Sequence, residues 1–261
     1  MKLFNLLKGD KTLWAVTLLL AIFSFLPVYS AGTQISVDEG MSVIRTLLFK
    51  HMFLLLAGFF LIYFTHKLSI ERIAILGWLF FIPVIALLAY TLTMGNSIGG
   101  VSANRWVNVP LLNMNFQPST LAQLVLMVCI ASYLAKNKSR TIKFTESILP
   151  LWIPIGLSVL LVFSQNFSTA AIIGLMAFVL CFIGGYPLKY LAGISIALLA
   201  GAALFLTVLM KSPESIPSDR ALTWKNRVET YLNPETASTD SRHQITLAKI
   251  AVAEGGVFGK G

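Results

Sequence analysis

Charge is scarce in this chain. Asp, Glu, Lys and Arg make up 12% of its 261 residues, against roughly 25% in an ordinary soluble domain. Hydrophobic residues make up 56%, and the mean hydropathy is +0.78. No water-soluble fold of this size hides so much apolar side chain, so lipid is the solvent for most of it. Cysteine is scarce as well. Cys129 and Cys181 each sit inside an apolar run, which excludes a disulfide framework or a zinc spacing and leaves two small buried hydrophobes. There is no internal repeat and no glycine-rich phosphate cradle of the nucleotide-binding kind. Acids are outnumbered, 11 against 20 Lys and Arg, for a net charge of +9. The bases gather in short connections between apolar runs, as orientation signals do, and form no nucleic-acid-binding face.

What remains is a succession of apolar runs, at about 13–29, 49–65, 73–94, 119–135, 148–163, 168–185 and 188–210. Each approaches the roughly 20 residues that cross a bilayer at 1.5 Å per residue. The fold class is therefore all-α and polytopic, with a transmembrane bundle over 1–210. Ser30-Ala31-Gly32 has the look of a signal-peptide cleavage site. The run before it is long enough to span and others follow, so it reads as the first transmembrane helix.

Positive charge gives the orientation. With the N-terminus in the cytoplasm, the inside segments carry Lys2, Lys8, Lys11, Lys67, Arg72, Lys136, Lys138, Arg140, Lys143 and Lys189, and the outside loops before the seventh run carry Arg45, Lys50 and Arg105. That is the positive-inside pattern. Pro118 suits the first position of the fourth helix. Gly184-Gly185 with Pro187 breaks the chain between the sixth and seventh, and Pro154 is expected to kink the fifth.

Beyond Met210 the character changes, and 211–261 reads as a large extracytoplasmic loop. Ser218 to Leu232 predicts an amphipathic helix with Trp224, Val228, Tyr231 and Leu232 on one side. A second helix is expected from Ser241, where Ser241-x-x-Gln244 fits a capping box, to Gly255-Gly256. Such helices lie on a membrane surface or plug a groove between spans.

Three sets of residues carry a family likeness. The third-to-fourth connection holds Asn104-Arg105-Trp106-Val107 and Phe116-Gln117-Pro118-Ser119-Thr120. Asn166-Phe167-Ser168-Thr169-Ala170 follows the fifth helix. The last loop holds Arg227-Val228-Glu229-Thr230-Tyr231-Leu232-Asn233-Pro234, Gln244 and Gly255-Gly256-Val257-Phe258-Gly259-Lys260-Gly261. In this order, each on the expected outer side, they resemble the FtsW/RodA (SEDS) family of bacterial cell-wall polymerases, nearer its division branch (FtsW).

The resemblance implies a peptidoglycan glycosyltransferase of the bacterial cytoplasmic (inner) membrane. Such enzymes polymerise lipid II into glycan strands during division or elongation, beside a class B penicillin-binding protein. It implies ten transmembrane helices, of which seven are expected here, with the chain stopping in the loop before the eighth. Joining sugars displaces a polyprenyl pyrophosphate by a sugar hydroxyl, which calls for a carboxylate to take the proton and cations beside the departing pyrophosphate. No cofactor is identified, and a divalent cation stays open.

The base implied by the family is an Asp shortly after the Asn-Pro step. The usual acidic slot falls near Ala237, so Asp240 is the candidate base and Glu235 its alternative. Asp240 or Ser241 equally suits the cap of the following helix. Arg105, Arg227 and Lys249 are the candidate substrate-binding cations. Arg105 beside Trp106 also suits an interfacial anchor, and Arg227 a solvated face. Lys249 sits on an otherwise apolar helix, where an ammonium calls for a carboxylate partner or a polar cavity.

The chain departs from the family where Thr120 and Gln123 stand in place of a Glu and Lys three apart, and where Asn166 stands in place of an Asp. Losing both members of an ion pair strands no charge in low dielectric. Two other classes remain open: a flippase or transporter of lipid-linked precursor, which needs mid-depth polar residues that these spans offer sparingly, and a non-catalytic scaffold of the division machinery.

Overall fold

The computed structural model describes residues 10–35, 41–94, 105–109, 114–212, 214, 221–232, 239–256 and 259. Six of its helices are long and apolar enough to cross a membrane, and a seventh, Phe167–Ile183, is apolar and shorter. It is an all-helical polytopic membrane protein. Contacts divide it into two units, Met1–Ile70 with Ile245–Gly261, and Glu71–Gln244.

In the first unit, Asp10 opens α1 (Lys11–Phe23) by accepting the Thr12 N–H at 2.7 Å. The first span then breaks at Ser24 and resumes as α2 (Phe25–Ile35). Pro27 explains the break, because it has no N–H for the Phe23 carbonyl. The Ser24 hydroxyl donates to the Ala21 carbonyl at 2.6 Å and lies 2.8 Å from His51 Nε2 on α3 (Met41–Thr65). With its one proton committed to Ala21, Ser24 accepts from an Nε2–H of His51. Trp14 meets His66 edge-on at 5.4 Å, joining the start of α1 to the end of α3.

The second unit holds the close-packed core. α4 (Ile70–Met94) packs on α5 (Pro118–Lys136), where Leu126, Cys129 and Ile130 are fully buried. Small residues allow the approach. An ideal Cβ on Gly77 would lie 2.6 Å from Val128 Cγ1, and a β-branched residue in a helix has one strongly preferred rotamer with which to retreat. Gly77→Ala is therefore expected to cost about 1–3 kcal/mol. Adding Val128→Ala should recover most of it, read as thermal unfolding in detergent. Nearby, Trp78 Nε1 donates to Ser132 Oγ at 2.9 Å.

The fifth span starts as α6 (Phe144–Ser147), passes through a π-helical turn at Ile148–Trp152 and continues as α7 (Ile153–Phe163). Sequence predicted a kink at Pro154. The irregularity is that π turn, closed by Ile153 N–H to the Ile148 carbonyl, one step before the proline that cannot donate. α8 (Phe167–Ile183) and α9 (Leu188–Lys211) follow. They are separated at Gly184-Gly185, where Gly185 adopts φ +77°, a region glycine enters freely. At this end Ser147 donates to the Phe144 carbonyl, so the Tyr186 hydroxyl, 2.6 Å from Ser147 Oγ, donates to it and accepts Trp152 Nε1–H at 3.0 Å. Each polar group in this buried set has a partner.

The polar tail forms α10 (Ala221–Leu232) and α11 (Thr239–Gly255). An element the sequence did not suggest is a short antiparallel ribbon, β1 (Val107–Val109) and β2 (Met114–Phe116), registered Val107 with Phe116 and Val109 with Met114.

Candidate functional site

The ribbon is what builds the site. Its register, carried one step outward, sets Trp106 opposite Gln117, so Arg105 comes in at the mouth of α5. Pro118 opens that helix at its first position, as its missing N–H permits. Gln117 precedes it and donates from Nε2 to Ser119 Oγ at 2.9 Å. Asn166 precedes α8 and its side chain accepts the Thr169 N–H at 3.2 Å. The opening residue of this helix is thus Asn166, and a neutral amide caps it as well as a carboxylate would.

Arg105, Gln117, Ser119 and Asn166 meet in one cleft with Thr91 of α4 and Gln165, over a floor of Leu88, Leu161 and Val162. The cleft encloses about 20 Å³, the room of about one water molecule. Three motif segments, two from the connection before α5 and one from the connection before α8, therefore share one small polar space. Among the described residues its lining carries a single charge, the half-buried guanidinium of Arg105, with five neutral amides and hydroxyls. Arginine stays charged in any protein setting, and among the described residues no carboxylate lines the cleft, so the arrangement invites an anion.

Sequence reading missed Thr91 and Gln165. Gln165 adjoins a motif residue, which was the available signal. Thr91 had none, since its hydroxyl donates to the Leu88 carbonyl in the manner of any helical threonine.

The other candidates fall elsewhere. Arg227 is exposed on α10. Lys249 is exposed on α11 beside an open groove lined by Ala248, Val252 and Ala253. The expected carboxylate or polar cavity is not found among the described residues, because the ammonium is not buried and needs neither. Glu235 lies outside the described residues. Asp240 is the second residue of α11, and its side chain lies outside the described set. The helix starts before the expected box, so Asp240 and Ser241 stand in its first turn and not at its cap. Gln123 turns to Met176 of α8, with Nε2 2.7 Å from the sulfur, and Thr120 is exposed. The two neutral substitutes do not bond each other.

Next to the cleft, α10 is held by an aromatic cluster. The Trp224 ring stands 5.6 Å from Phe163, 5.9 Å from Phe205 and 6.5 Å from Phe167, over a fully buried Leu209. A separate cavity of about 580 Å³ runs between α7, α8 and α9. Its lining is apolar apart from Ser195, whose hydroxyl is committed to the Leu191 carbonyl.

Fold and site together define a polytopic membrane protein with an anion-seeking cleft where its helices end. The model of the cell cycle protein family of FtsW, RodA and SpoVE matches residues 10–261, and the chain belongs to that family. Its relatives include proteins named "Probable peptidoglycan glycosyltransferase FtsW". That of Thiomicrospira cyclica is 28% identical over 182 residues, 69% of this chain and 43% of the relative. That of Geobacter sulfurreducens is 30% identical over 167 residues, 63% of this chain and 41% of the relative. The chain thus spans less than half the length of these relatives.

Two solved structures share the fold, each at 24% identity. One, described as "Structural coordination of polymerization and crosslinking by a peptidoglycan synthase complex", covers 88% of this chain and 63% of its own at a TM-score of 0.59. The Thermus thermophilus rod shape determining protein RodA covers 72% and 58% at 0.50.

Proposed function

We propose that the protein is a peptidoglycan glycosyltransferase that lengthens glycan strands from lipid II. It works at the outer face of the bacterial cytoplasmic membrane, together with a class B penicillin-binding protein. The observation that carries this reading is the convergence of Arg105, Gln117 and Asn166 on one cleft whose described lining has a single positive charge and no acid.

In the proposed step, an acceptor sugar hydroxyl attacks the anomeric carbon of the donor. The new C–O bond forms as the bond to pyrophosphate breaks. The hydroxyl proton passes to a loop carboxylate, Asp240 or alternatively Glu235, and polyprenyl pyrophosphate departs with the bonding electron pair. Arg105 meets the pyrophosphate oxygens at the cleft mouth, since 20 Å³ admits no sugar ring. Arg227, exposed on α10, supplies further positive charge, and Lys249 on α11 is a separate candidate for holding substrate. Neutral amides hold the Arg105 site open to anions, because an acid there would pair with the guanidinium and compete. The apolar cavity between α7, α8 and α9 has the chemistry a polyprenyl tail requires, which supports a lipid-borne substrate.

Two experiments bear on this reading. With the N-terminus inside, cysteines placed at Asn108 and Asn226 should react with an impermeant thiol reagent added to intact cells, and one at Ser139 should not; the reverse pattern overturns the orientation. For the cleft, Arg105→Ala should lower kcat/KM for lipid II by about 10–100-fold, the 1.5–3 kcal/mol of a charged hydrogen bond. Arg105→Lys should keep part of it as a point charge without the bidentate fork. Unchanged kcat/KM in Arg105→Ala would remove the cleft from the reaction.

A further inference from the structure

The apolar stripe of α10 is longer than the protein beneath it. At 100° per residue, Ala221, Trp224 and Val228 share one side of the helix. Ala221 and Trp224 are buried, and they and Val228 pack over Leu209, Phe163 and Phe205. Tyr231 and Leu232 follow Val228 by three and four residues and so continue the same stripe, yet they are 85% and 60% exposed. An established interface thus runs on into an uncovered Tyr-Leu pair.

The level of that pair is set by what α10 rests on. Phe163 is the last residue of α7, Phe167 the first of α8, and Leu209 lies in the last turn of α9 before Lys211. All three stand where membrane-crossing helices end, so α10 lies where hydrocarbon gives way to headgroups.

The residues suit that zone. Tyrosine offers an apolar ring with a hydroxyl tip, the combination enriched at membrane interfaces. Arg227 is exposed on the flank, with no ion pair among the described residues, and Lys225 is paired with Glu229 at 3.7 Å. A long basic side chain on the flank reaches lipid phosphate while its stem lies on apolar surface. The opposite side carries Asn226 and Thr230, which suit water.

We infer that α10 is an interfacial helix whose Tyr231 and Leu232 insert among the lipid headgroups, so that the bilayer itself covers the end of the stripe. The inference holds whatever reaction the protein performs. It implies that α10 is fixed at two points, by Trp224 on the protein and by Tyr231 and Leu232 on the lipid, which keeps Arg227 at phosphate level.

The test uses the full chain in vesicles of phosphatidylcholine and phosphatidylglycerol. Single cysteines replace Tyr231, Leu232 or, as control, Asn226, and each carries an environment-sensitive fluorophore. Cys129 and Cys181 are buried and stay unlabelled, and thermal unfolding of each variant checks that it is folded. Fluorophores at Tyr231→Cys and Leu232→Cys should be quenched severalfold more by a headgroup nitroxide lipid than the one at Asn226→Cys, and less by aqueous iodide. Equal quenching at all three sites overturns the inference. Shielding of the Tyr231 and Leu232 sites from both quenchers also overturns it, because a protein surface and not lipid would then cover them.

Discussion

Asp240→Asn is expected to stop strand synthesis, lowering the rate of lipid II consumption by about 10²–10⁴-fold, the range for loss of a general base. The amide has nearly the same shape and cannot take the hydroxyl proton. Asp240 lies in the first turn of α11, where a carboxylate contributes about 0.3–1 kcal/mol against the helix dipole, so the stability change should be small beside the rate change. A role confined to the helix start would give the opposite split, with a slightly less stable protein that polymerises normally. The readout is kcat alongside thermal unfolding, and KM should move less than kcat because a base acts on the chemical step. Wild-type rates would shift the role to Glu235.

Trp224→Ala should have the largest effect on structure. Truncating a buried Trp costs about 3–5 kcal/mol, and Trp224, 8% exposed, touches three phenylalanine rings. α10 packs on the bundle through few other side chains, so the loss should appear as local undocking and not as global unfolding. Hydrogen exchange should show the amides of 222–232 losing protection while α5 and α8 keep theirs. Trp224→Phe should retain most of the protection, since an aromatic ring still fills the cluster. Unaltered exchange in Trp224→Ala would mean that the cluster does not hold the helix.

The long spans were legible because lipid leaves the backbone no partner but itself. A run such as 188–210 must therefore be helical whatever packs on it, and α9 ends one residue from the expected boundary. What composition could not show is where a span is irregular. The break at Ser24 depends on Pro27 and on the hydrogen bond from His51, 27 residues away in sequence. The π turn at Ile148–Trp152 depends on how the turn before Pro154 closes. The β1–β2 ribbon has three-residue strands, too short for alternation to register, and yet it is what brings Arg105 to Gln117.

For the site, the motif residues were visible and their meeting was not. Arg105 and Gln117 come from one connection and Asn166 from another, and only the packing of α4, α5, α7 and α8 shows that they line one cleft. Lys249 shows how little helical periodicity says about burial. Ile245, Ala248 and Val252 recur at helical spacing around it, and Ala248 and Val252 are themselves exposed on α11, Val252 at 82%.

The most direct test of the central claim is polymerisation itself. The protein as encoded, purified with the class B penicillin-binding protein proposed as its partner, should convert lipid II into glycan strands resolved as a ladder on a gel, with release of polyprenyl pyrophosphate. Lipid II left intact by a preparation that is monodisperse, folded and partner-bound would contradict the account and leave a scaffold in its place.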